Sequence, residues 1–170
     1  MTAPVPVHTA EEAFVAALMS LDHETAGQYV DLLQPEDIAS PALQLVHHLI
    51  DQLCTAGVSP DPAALLALAI SEEHAVTQHQ IHTFAGVLMR LADHRAMNDP
   101  SSIRWYAGQA LEQAWRRRTV EMATRLTQVA GHAEPDELER LNRTEQAAVD
   151  DVRARHRRAL TEPRGLVAVA

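Results

Sequence analysis

Ten histidines are the side chains of this sequence that could bind a metal ion or transfer a proton near neutral pH. His74, His79 and His82 fall on one predicted helix, and the last two are three residues apart, a spacing at which helical side chains can share a metal ion. His74 fits that face poorly, and no cysteine or carboxylate completes a tetrahedral set. His47 and His48 are adjacent, so on a helix their rings point about 100° apart. We therefore interpret these histidines as surface or half-buried side chains and predict no metal site.

Acidic pairs at residues 11–12, 36–37 and 72–73 could suggest acid–base catalysis, but nothing in the sequence places two of them across a cleft. Negative charge near a helix N-terminus is favourable and explains the pairs more simply. There is no G-x-S-x-G turn of the kind that presents a serine nucleophile. All 14 basic residues are arginine, and the absence of lysine excludes a P-loop ATPase and Schiff-base chemistry. We predict no catalytic residue, no cofactor and no enzymatic activity, and a hydrolase or metal enzyme is the third and least supported hypothesis.

Arginine runs at residues 116–118 and 153–158 are the candidates for nucleic-acid binding, because the guanidinium group can bind phosphate through two hydrogen bonds. Acidic residues lie three or four positions from each run and can neutralise it. Residues 1–99 hold 2 arginines and 13 acids, a net of −11, and residues 100–170 hold 12 arginines and 10 acids, a net of +2; together they give −9. The favoured interpretation is salt-bridged faces or interchain ion pairs. A small helical DNA-binding regulator that uses these helices is the alternative.

Cys54 is the only cysteine, which precludes an intrachain disulfide and a cysteine zinc site. The first residues lack the basic and apolar regions of a signal peptide. No stretch approaches the about 18 apolar residues of a membrane span. These features predict a cytoplasmic protein without a membrane partner.

The elements that must position these side chains are all helical. Hydrophobic residues make up 46% of the chain and aromatic residues only 4%, so the core must be aliphatic, as in helices packed on helices. A capping box at Thr9–Glu12, cap-plus-proline pairs at Ser40-Pro41 and Asp61-Pro62, and a stop at Gly57 mark helix ends. Helices are predicted over about residues 9–21, 41–56, 63–70, 74–93, 101–130 and 136–160, with a short one after Asp22.

The predicted fold class is all-α: a compact helical bundle followed by a long antiparallel helical hairpin. The predicted divisions are a flexible arm at 1–8, the bundle at 9–98, the hairpin at 99–160 and a frayed tail at 161–170. The last helix is so polar that it needs a partner, either its hairpin mate or another chain. Trp and Tyr residues suit either an interface or the seam between bundle and hairpin. The predicted interface residues are Ile103, Trp105, Tyr106, Trp115, Arg116, Arg117, Arg118, Leu138, Leu141, Val149 and Val152.

The order of these elements resembles the N-terminal domain of the DnaB family of replicative DNA helicases. The resemblance spans about residues 10–130. It rests on EEAFVAAL at 11–18, LQPEDI at 33–38, LVHHLI at 45–50, GVSPD at 57–61, SIRWYA at 102–107 and the arginines at 116–118.

The resemblance implies a helicase collar domain: a bundle plus hairpin whose hairpins pair between subunits and which docks primase or loading factors. The family's ATPase domain is absent from this sequence, and there is no lysine to build its nucleotide loop. Ile38 stands where the family usually has an aromatic residue, and residues 65–82 lack the family's glycine-containing turn. We expect a homo-oligomer, a dimer or larger, whose possible partners are primase, helicase or loader.

Overall fold

The computed structural model of the chain describes residues 9–94 and 98–161, and within them it contains α-helices, two single 3-10 turns and no strand. The all-α fold class is therefore confirmed. The predicted arm at 1–8 and nearly all of the predicted tail lie outside the described residues. The helices are α1 (Ala10–Met19), α2 (His23–Gly27), α3 (Pro41–Thr55), α4 (Pro62–Ser71), α5 (Gln78–Ala92), α6 (Pro100–Val129) and α7 (Pro135–Thr161), with 3-10 turns at Val30–Leu32 and Pro35–Asp37.

Most helix ends follow the local signals in the sequence. The Thr9 hydroxyl accepts from the Glu12 amide at 3.1 Å, and the Glu12 carboxylate accepts from the Thr9 amide at 3.2 Å, which completes the predicted capping box. Asp61 accepts from the first two free amides of α4. Gly57 has φ of 74°, the left-handed conformation that ends α3. Ser40 occupies the cap position of α3, but its side chain makes no capping hydrogen bond.

The start of α5 differs from the prediction. The helix begins at Gln78 rather than near 74, so His74 lies outside it. The Thr77 hydroxyl accepts from the Gln80 amide at 3.2 Å, and the Gln80 side chain accepts from the Thr77 amide at 2.9 Å. This second capping box sets the boundary. Glu73 takes φ of 60° at the end of α4, which reverses the chain without the glycine that such a turn usually has.

One hydrophobic core joins the bundle to the start of the hairpin. Helix α1 lies at its centre, and its side chains Phe14, Val15 and Leu18 are completely buried. This helix contacts α3, α5 and α6. The α6 residues Ile103 and Leu111 belong to the same core, so the core continues across residue 98.

Helices α6 and α7 run antiparallel along their lengths. Leu160 lies against Gly108 near one end of the pair, and Arg125 pairs with Glu145 near the other. We call residues 100–117 and 149–161 the proximal hairpin, which packs on the bundle. We call residues 118–148 the distal hairpin, and no residue in it is buried.

Candidate interaction surface

A buried ion pair ties the proximal hairpin to the bundle. The Asp37 side chain is 2% exposed, and both of its oxygens accept hydrogen bonds from the guanidinium of Arg155 on α7, one of them at 3.0 Å. Arg155 also donates to Asp151 at 2.9 Å. Because the donor fork of arginine matches the two carboxylate oxygens, this contact fixes the angle as well as the distance between α7 and the bundle.

Helix α6 reaches the same turn through a second arginine. Arg117 donates to the main-chain oxygen of Asp37 at 2.6 Å and lies 3.6 Å from the Glu11 carboxylate. Glu11 in turn accepts from the Ala39 amide at 3.0 Å. Burial disfavours the charged form of Arg155, but its hydrogen bonds to Asp37 and Asp151 prevail and raise its pKa above the ordinary value. The proximal hairpin is therefore held by one arginine from each of its helices.

These pairings account for most of the arginine side chains that suggested nucleic-acid binding. Arg116 donates to Glu112 at 2.6 Å, and Arg118 lies 3.6 Å from Glu121. The guanidinium of Arg153 lies 5.4 Å from the ring centre of Trp115, a cation–π contact between the two hairpin helices. Arg116, Arg117, Arg118 and Arg155 thus face carboxylates of the same chain, which lowers the positive potential that these runs present to phosphate.

The distal hairpin has apolar side chains that no element within residues 9–94 and 98–161 covers. Leu126 and Leu138 are half-buried and line an open groove of about 620 Å³ on one side of the helix pair. Val129 and Leu141 are also half-buried and line a groove of about 280 Å³ elsewhere along the pair. Val120 is 65% exposed. The distal hairpin therefore presents aliphatic side chains to solvent along both of its helices.

The charge of the distal hairpin is small and largely paired. It holds four arginines and six acids, a formal sum of −2, whereas the whole chain carries −9. Arg125 contacts Glu145 at 2.6 Å across the two helices, and Arg143 contacts Glu139 at 2.5 Å along α7. A surface of this kind can approach a second copy of itself with little electrostatic repulsion.

The predicted interface residues are spread over both parts of the hairpin and differ in exposure. Those that are buried within the chain are Ile103, Val149 and Val152; those that are half-buried are Tyr106, Trp115, Arg117, Arg118, Leu138 and Leu141; and those that are exposed are Trp105 and Arg116.

Ile103 and Val152 belong to the hydrophobic core and Val149 is 5% exposed, so these three side chains can support an interface only indirectly. Trp105 is 56% exposed, and its ring meets that of Tyr106 edge to face at 5.5 Å. Sequence reasoning missed Val120, Leu126 and Val129. The spacing of Leu126 and Val129, three residues apart on one helix face, could have revealed them.

The histidines considered as metal ligands lie apart from this surface. His79 and His82 are exposed on α5, and His74 lies before that helix, 3.3 Å from the carboxylate of Glu72. Within residues 9–94 and 98–161, no three histidine, cysteine or acidic side chains are grouped so that they could hold a metal ion.

The chain was compared with known proteins. It superposes on the crystal structure of the N-terminal domain of DnaB helicase from Mycobacterium tuberculosis with a TM-score of 0.64 and 24% sequence identity. The match covers 82% of this chain and 95% of that one. The chain has the fold of a DnaB N-terminal domain. No family model and no curated protein sequence matches it.

This match confirms the architecture that the sequence resemblance implied. Because it covers 82% of this chain, it extends well beyond any single helix or motif of the fold. At 24% identity it shows the fold alone, and function has to be argued from the chain's own surface. None of the described helices combines the length and the apolar character needed to cross a lipid bilayer.

Proposed function

We propose that this chain is a non-enzymatic protein-interaction module of DNA replication, which self-associates through its distal hairpin and docks a helicase, a primase or a loader. The link to replication is drawn from its similarity in fold to the N-terminal domain of a DnaB helicase. The proposal of self-association has separate support in the surface of the distal hairpin.

The observation that carries the proposal is the absence of any buried residue over positions 118–148. Two helices that touch only each other bury too little apolar surface to offset the loss of chain entropy on folding. Helices of this kind are stabilised by packing an apolar face against a further element. Leu126, Leu138, Val129 and Leu141 provide such faces, and none of the described elements outside the hairpin covers them.

A second copy of the chain is the occupant that best fits this surface. The distal hairpin has a formal charge of only −2, so two identical hairpins can approach closely. The formal charge of the whole chain is −9, so contact between more acidic parts of two copies would be opposed by electrostatic repulsion. Twofold pairing would place the groove lined by Leu126 and Leu138 of each copy against the same groove of the other. The Leu126 and Leu138 groove of each copy would then lie inside a four-helix arrangement, which is a stable way to pack such helices.

Sedimentation velocity over a wide range of protein concentrations tests this proposal. We expect a dimer or larger assembly that dissociates on dilution. The double variant Leu138→Glu, Leu141→Glu places a charge in each of the two grooves, and it should be monomeric at every concentration because a charge at position 138 would be buried in the interface. Its circular dichroism should still show a helical protein, since both positions are only half-buried in the single chain.

Val76→Glu is the matched control, because Val76 is 66% exposed on the bundle and far from the hairpin in sequence. This variant should assemble like the unmodified chain. Assembly of the double hairpin variant, or loss of assembly in the control, would remove the distal hairpin as the interface.

Docking to a helicase has a separate test. The purified N-terminal domain of M. tuberculosis DnaB helicase, the similar structure described above, can serve as the probe in a mixing experiment followed by light scattering. A mixed assembly that forms with the unmodified chain, but not with the double hairpin variant, would support docking through the hairpin. Two separate homo-oligomers after mixing would count against a helicase partner.

DNA binding through the arginine runs is the alternative, and the intrachain pairing of these side chains does not favour it. Fluorescence anisotropy with a labelled duplex in low salt distinguishes the two functions. We expect no binding at micromolar protein. Tight binding that weakens steeply as salt rises would indicate phosphate contacts and would support the DNA-binding regulator instead.

A further inference from the structure

Helix α4 is apolar on its outer side as well as on its inner side. Its sequence, PAALLALAIS, contains no charged residue, and Ser71 at its end is its only polar one. Leu65 and Ala69 are buried on the inner side, where the helix packs on α3 and α5. The opposite side carries residues at i, i+3, i+4 and i+7 spacing, which places them in one row along the helix. We call this row the outer stripe; it consists of Ala63, Leu66, Ala67 and Ile70.

The outer stripe faces solvent in the part of the chain that the structure describes. Ile70 is 44% exposed, Ala63 and Ala67 are exposed, and Leu66 is half-buried. A surface helix ordinarily carries polar residues on its outer side, whereas a helix that is apolar all round is typical of a buried position. The composition of α4 therefore fits a helix with elements packed on both of its sides. The described elements cover only the inner one.

The shape of the outer stripe favours another helix as its occupant. Ala63 and Ala67 are one turn apart, and their small side chains form a shallow track beside the larger Leu66 and Ile70. Where the side chains at a contact are small, two helix axes can approach to about 8 Å. The ten residues of α4 span about 15 Å, which offers a partner helix a contact of about three turns.

The charged residues at both ends of the outer stripe are acidic. The chain has no lysine and its first arginine is Arg90, so residues 1–89 hold 11 acids and no lysine or arginine. Asp61 lies at the start of α4, where it accepts hydrogen bonds from two free amides of the helix. Glu72 and Glu73 are exposed at its other end. A basic partner would therefore be complementary in charge to this side of the bundle.

This charge pattern disfavours two other occupants. Twofold packing of α4 on α4 of a second copy would bring Asp61, Glu72 and Glu73 of both copies together, and like charges repel. An anionic lipid surface would be repelled for the same reason. Arg90 does not offset these acids, since it pairs with Glu12 of α1 at 3.1 Å.

We infer that the outer stripe of α4 binds a basic amphipathic helix of a partner protein. The apolar side of that helix covers the outer stripe and removes Ile70 and its neighbours from water, which supplies most of the affinity. Lysine or arginine side chains near its ends face Asp61 at one end of α4 and Glu72 and Glu73 at the other. Because these acids are exposed, the ion pairs set the orientation of the helix more than its affinity.

The inference rests on the docking part of the proposed function and is independent of self-association. Helix α4 packs on α3 and α5, and neither of these belongs to the distal hairpin. A chain that stayed monomeric would keep the outer stripe, and assembly through residues 118–148 would leave it uncovered. Docking to α4 and self-association through the distal hairpin can therefore fail separately.

Nuclear magnetic resonance titration with designed helical peptides tests the inference. The probe is acetyl-KALAKALKKALAKAR-amide, whose leucines lie on one side of a helix. One control peptide has glutamate in place of every lysine and arginine, and the other has the composition of the probe with its leucines spread around the helix. We expect the probe to give saturable shifts of amides at residues 62–73. Both controls should bind about tenfold more weakly or worse, because one lacks the complementary charge and the other lacks the apolar side.

Two arginine variants locate the site. Ala67→Arg should weaken binding of the probe at least about tenfold, because it places a long cationic side chain on the track that the probe must occupy. Ala123→Arg makes the same change at an exposed alanine of α6, and it should leave binding unchanged. Both variants should remain folded, because each alanine is exposed and arginine is a good helix former. The double variant Leu138→Glu, Leu141→Glu should also bind the probe normally.

The contribution of charge is tested with glutamine variants. The double variant Glu72→Gln, Glu73→Gln should weaken binding of the probe about three- to tenfold, since it removes two exposed partners of its basic side chains. Glu24→Gln, Glu36→Gln removes two exposed carboxylates elsewhere on the bundle and should leave binding unchanged.

Several results would overturn the inference. These are the absence of a saturable shift at residues 62–73, equal binding of the three peptides, and equal binding to Ala67→Arg and Ala123→Arg. An equal loss in the two glutamine double variants would show that only the general acidity of the bundle attracts the probe.

Two further results would assign the outer stripe to a different occupant and would also overturn the inference. Shifts at residues 62–73 that depend on the concentration of the chain alone, and that Ala67→Arg abolishes, would identify a second copy. Co-sedimentation with phosphatidylserine vesicles that Ile70→Ser abolishes would identify a lipid surface. We expect neither, because the charge at both ends of α4 is negative.

Discussion

The proximal and distal parts of the hairpin are formed by the same two helices, yet they are held in different ways. The proximal part contributes Ile103, Leu111 and Val152 to the core and is tied to the bundle by Arg155 and Arg117. The distal part contributes no buried residue. A continuous helix can therefore pass from a region specified by the chain's own tertiary contacts to one that has no buried side chain.

This difference does not come from a lack of apolar residues in the distal part. Val120, Leu126, Val129, Leu138 and Leu141 are as hydrophobic as their proximal counterparts. What differs is the element that packs on them, since α1 covers the proximal part and no described element covers the distal part. Burial, and hence stability, should therefore depend on position along the hairpin rather than on side-chain type.

The largest expected effect comes from matched leucine substitutions. Leu111→Ala should destabilise the chain by about 3–4 kcal/mol, because Leu111 is completely buried and its loss leaves a cavity. Leu126→Ala should cost less than about 1 kcal/mol in dilute solution, because that side chain is only half-buried. Urea denaturation at low protein concentration measures both. Equal losses would contradict the contrast between the two parts.

The ion pair at the junction should have the next largest effect. Arg155→Met should destabilise the chain by about 3 kcal/mol, because it leaves the buried carboxylate of Asp37 without its charged partner. Arg116→Met is the matched control. Arg116 is largely exposed in its pair with Glu112, and such pairs contribute about 0.5 kcal/mol.

The two substitutions, Arg155→Met and Arg116→Met, should also differ in their effect on the position of α7. Arg155→Met should loosen α7 from the bundle and broaden amide resonances near residues 149–161, whereas Arg116→Met should leave them unchanged. A junction variant as stable as the control would mean that the hairpin is positioned by apolar packing alone.

The smallest effect is expected for the ion pair within the distal hairpin. Arg125 and Glu145 meet at 2.6 Å, but the Arg125 side chain is 59% exposed. Glu145→Gln should therefore change stability by about 0.5 kcal/mol or less, and high salt should remove the difference. Thermal unfolding at two salt concentrations checks this. A larger, salt-independent loss would show that the distal helices are locked together more firmly than their exposure implies.

Local signals in the sequence predicted most of the helix ends but not all of them. Thr9, Asp61 and Gly57 act through hydrogen bonds or backbone preferences within a few residues, so their roles can be predicted from the sequence alone. The start of α5 predicted from the sequence is about four residues too early, because the capping box at Thr77 and Gln80 sets the boundary. The left-handed turn at Glu73 uses a residue that carries no such signal.

Long-range contacts could not be predicted in this way. Asp37 and Arg155 are 118 positions apart, and neither a spacing rule nor a propensity joins them. In the sequence Asp37 belongs to an acidic pair and to the LQPEDI motif, and neither predicts that it is the buried centre of the hairpin junction.

Amide hydrogen exchange at two protein concentrations tests the central claim most directly. Because a free two-helix pair opens readily, protection of the distal hairpin should require assembly. We predict that amides in residues 118–148 are protected at high concentration and exchange rapidly on dilution. Amides of the proximal hairpin should be equally protected in both samples. Strong protection of residues 118–148 in a dilute, monomeric sample would contradict the account.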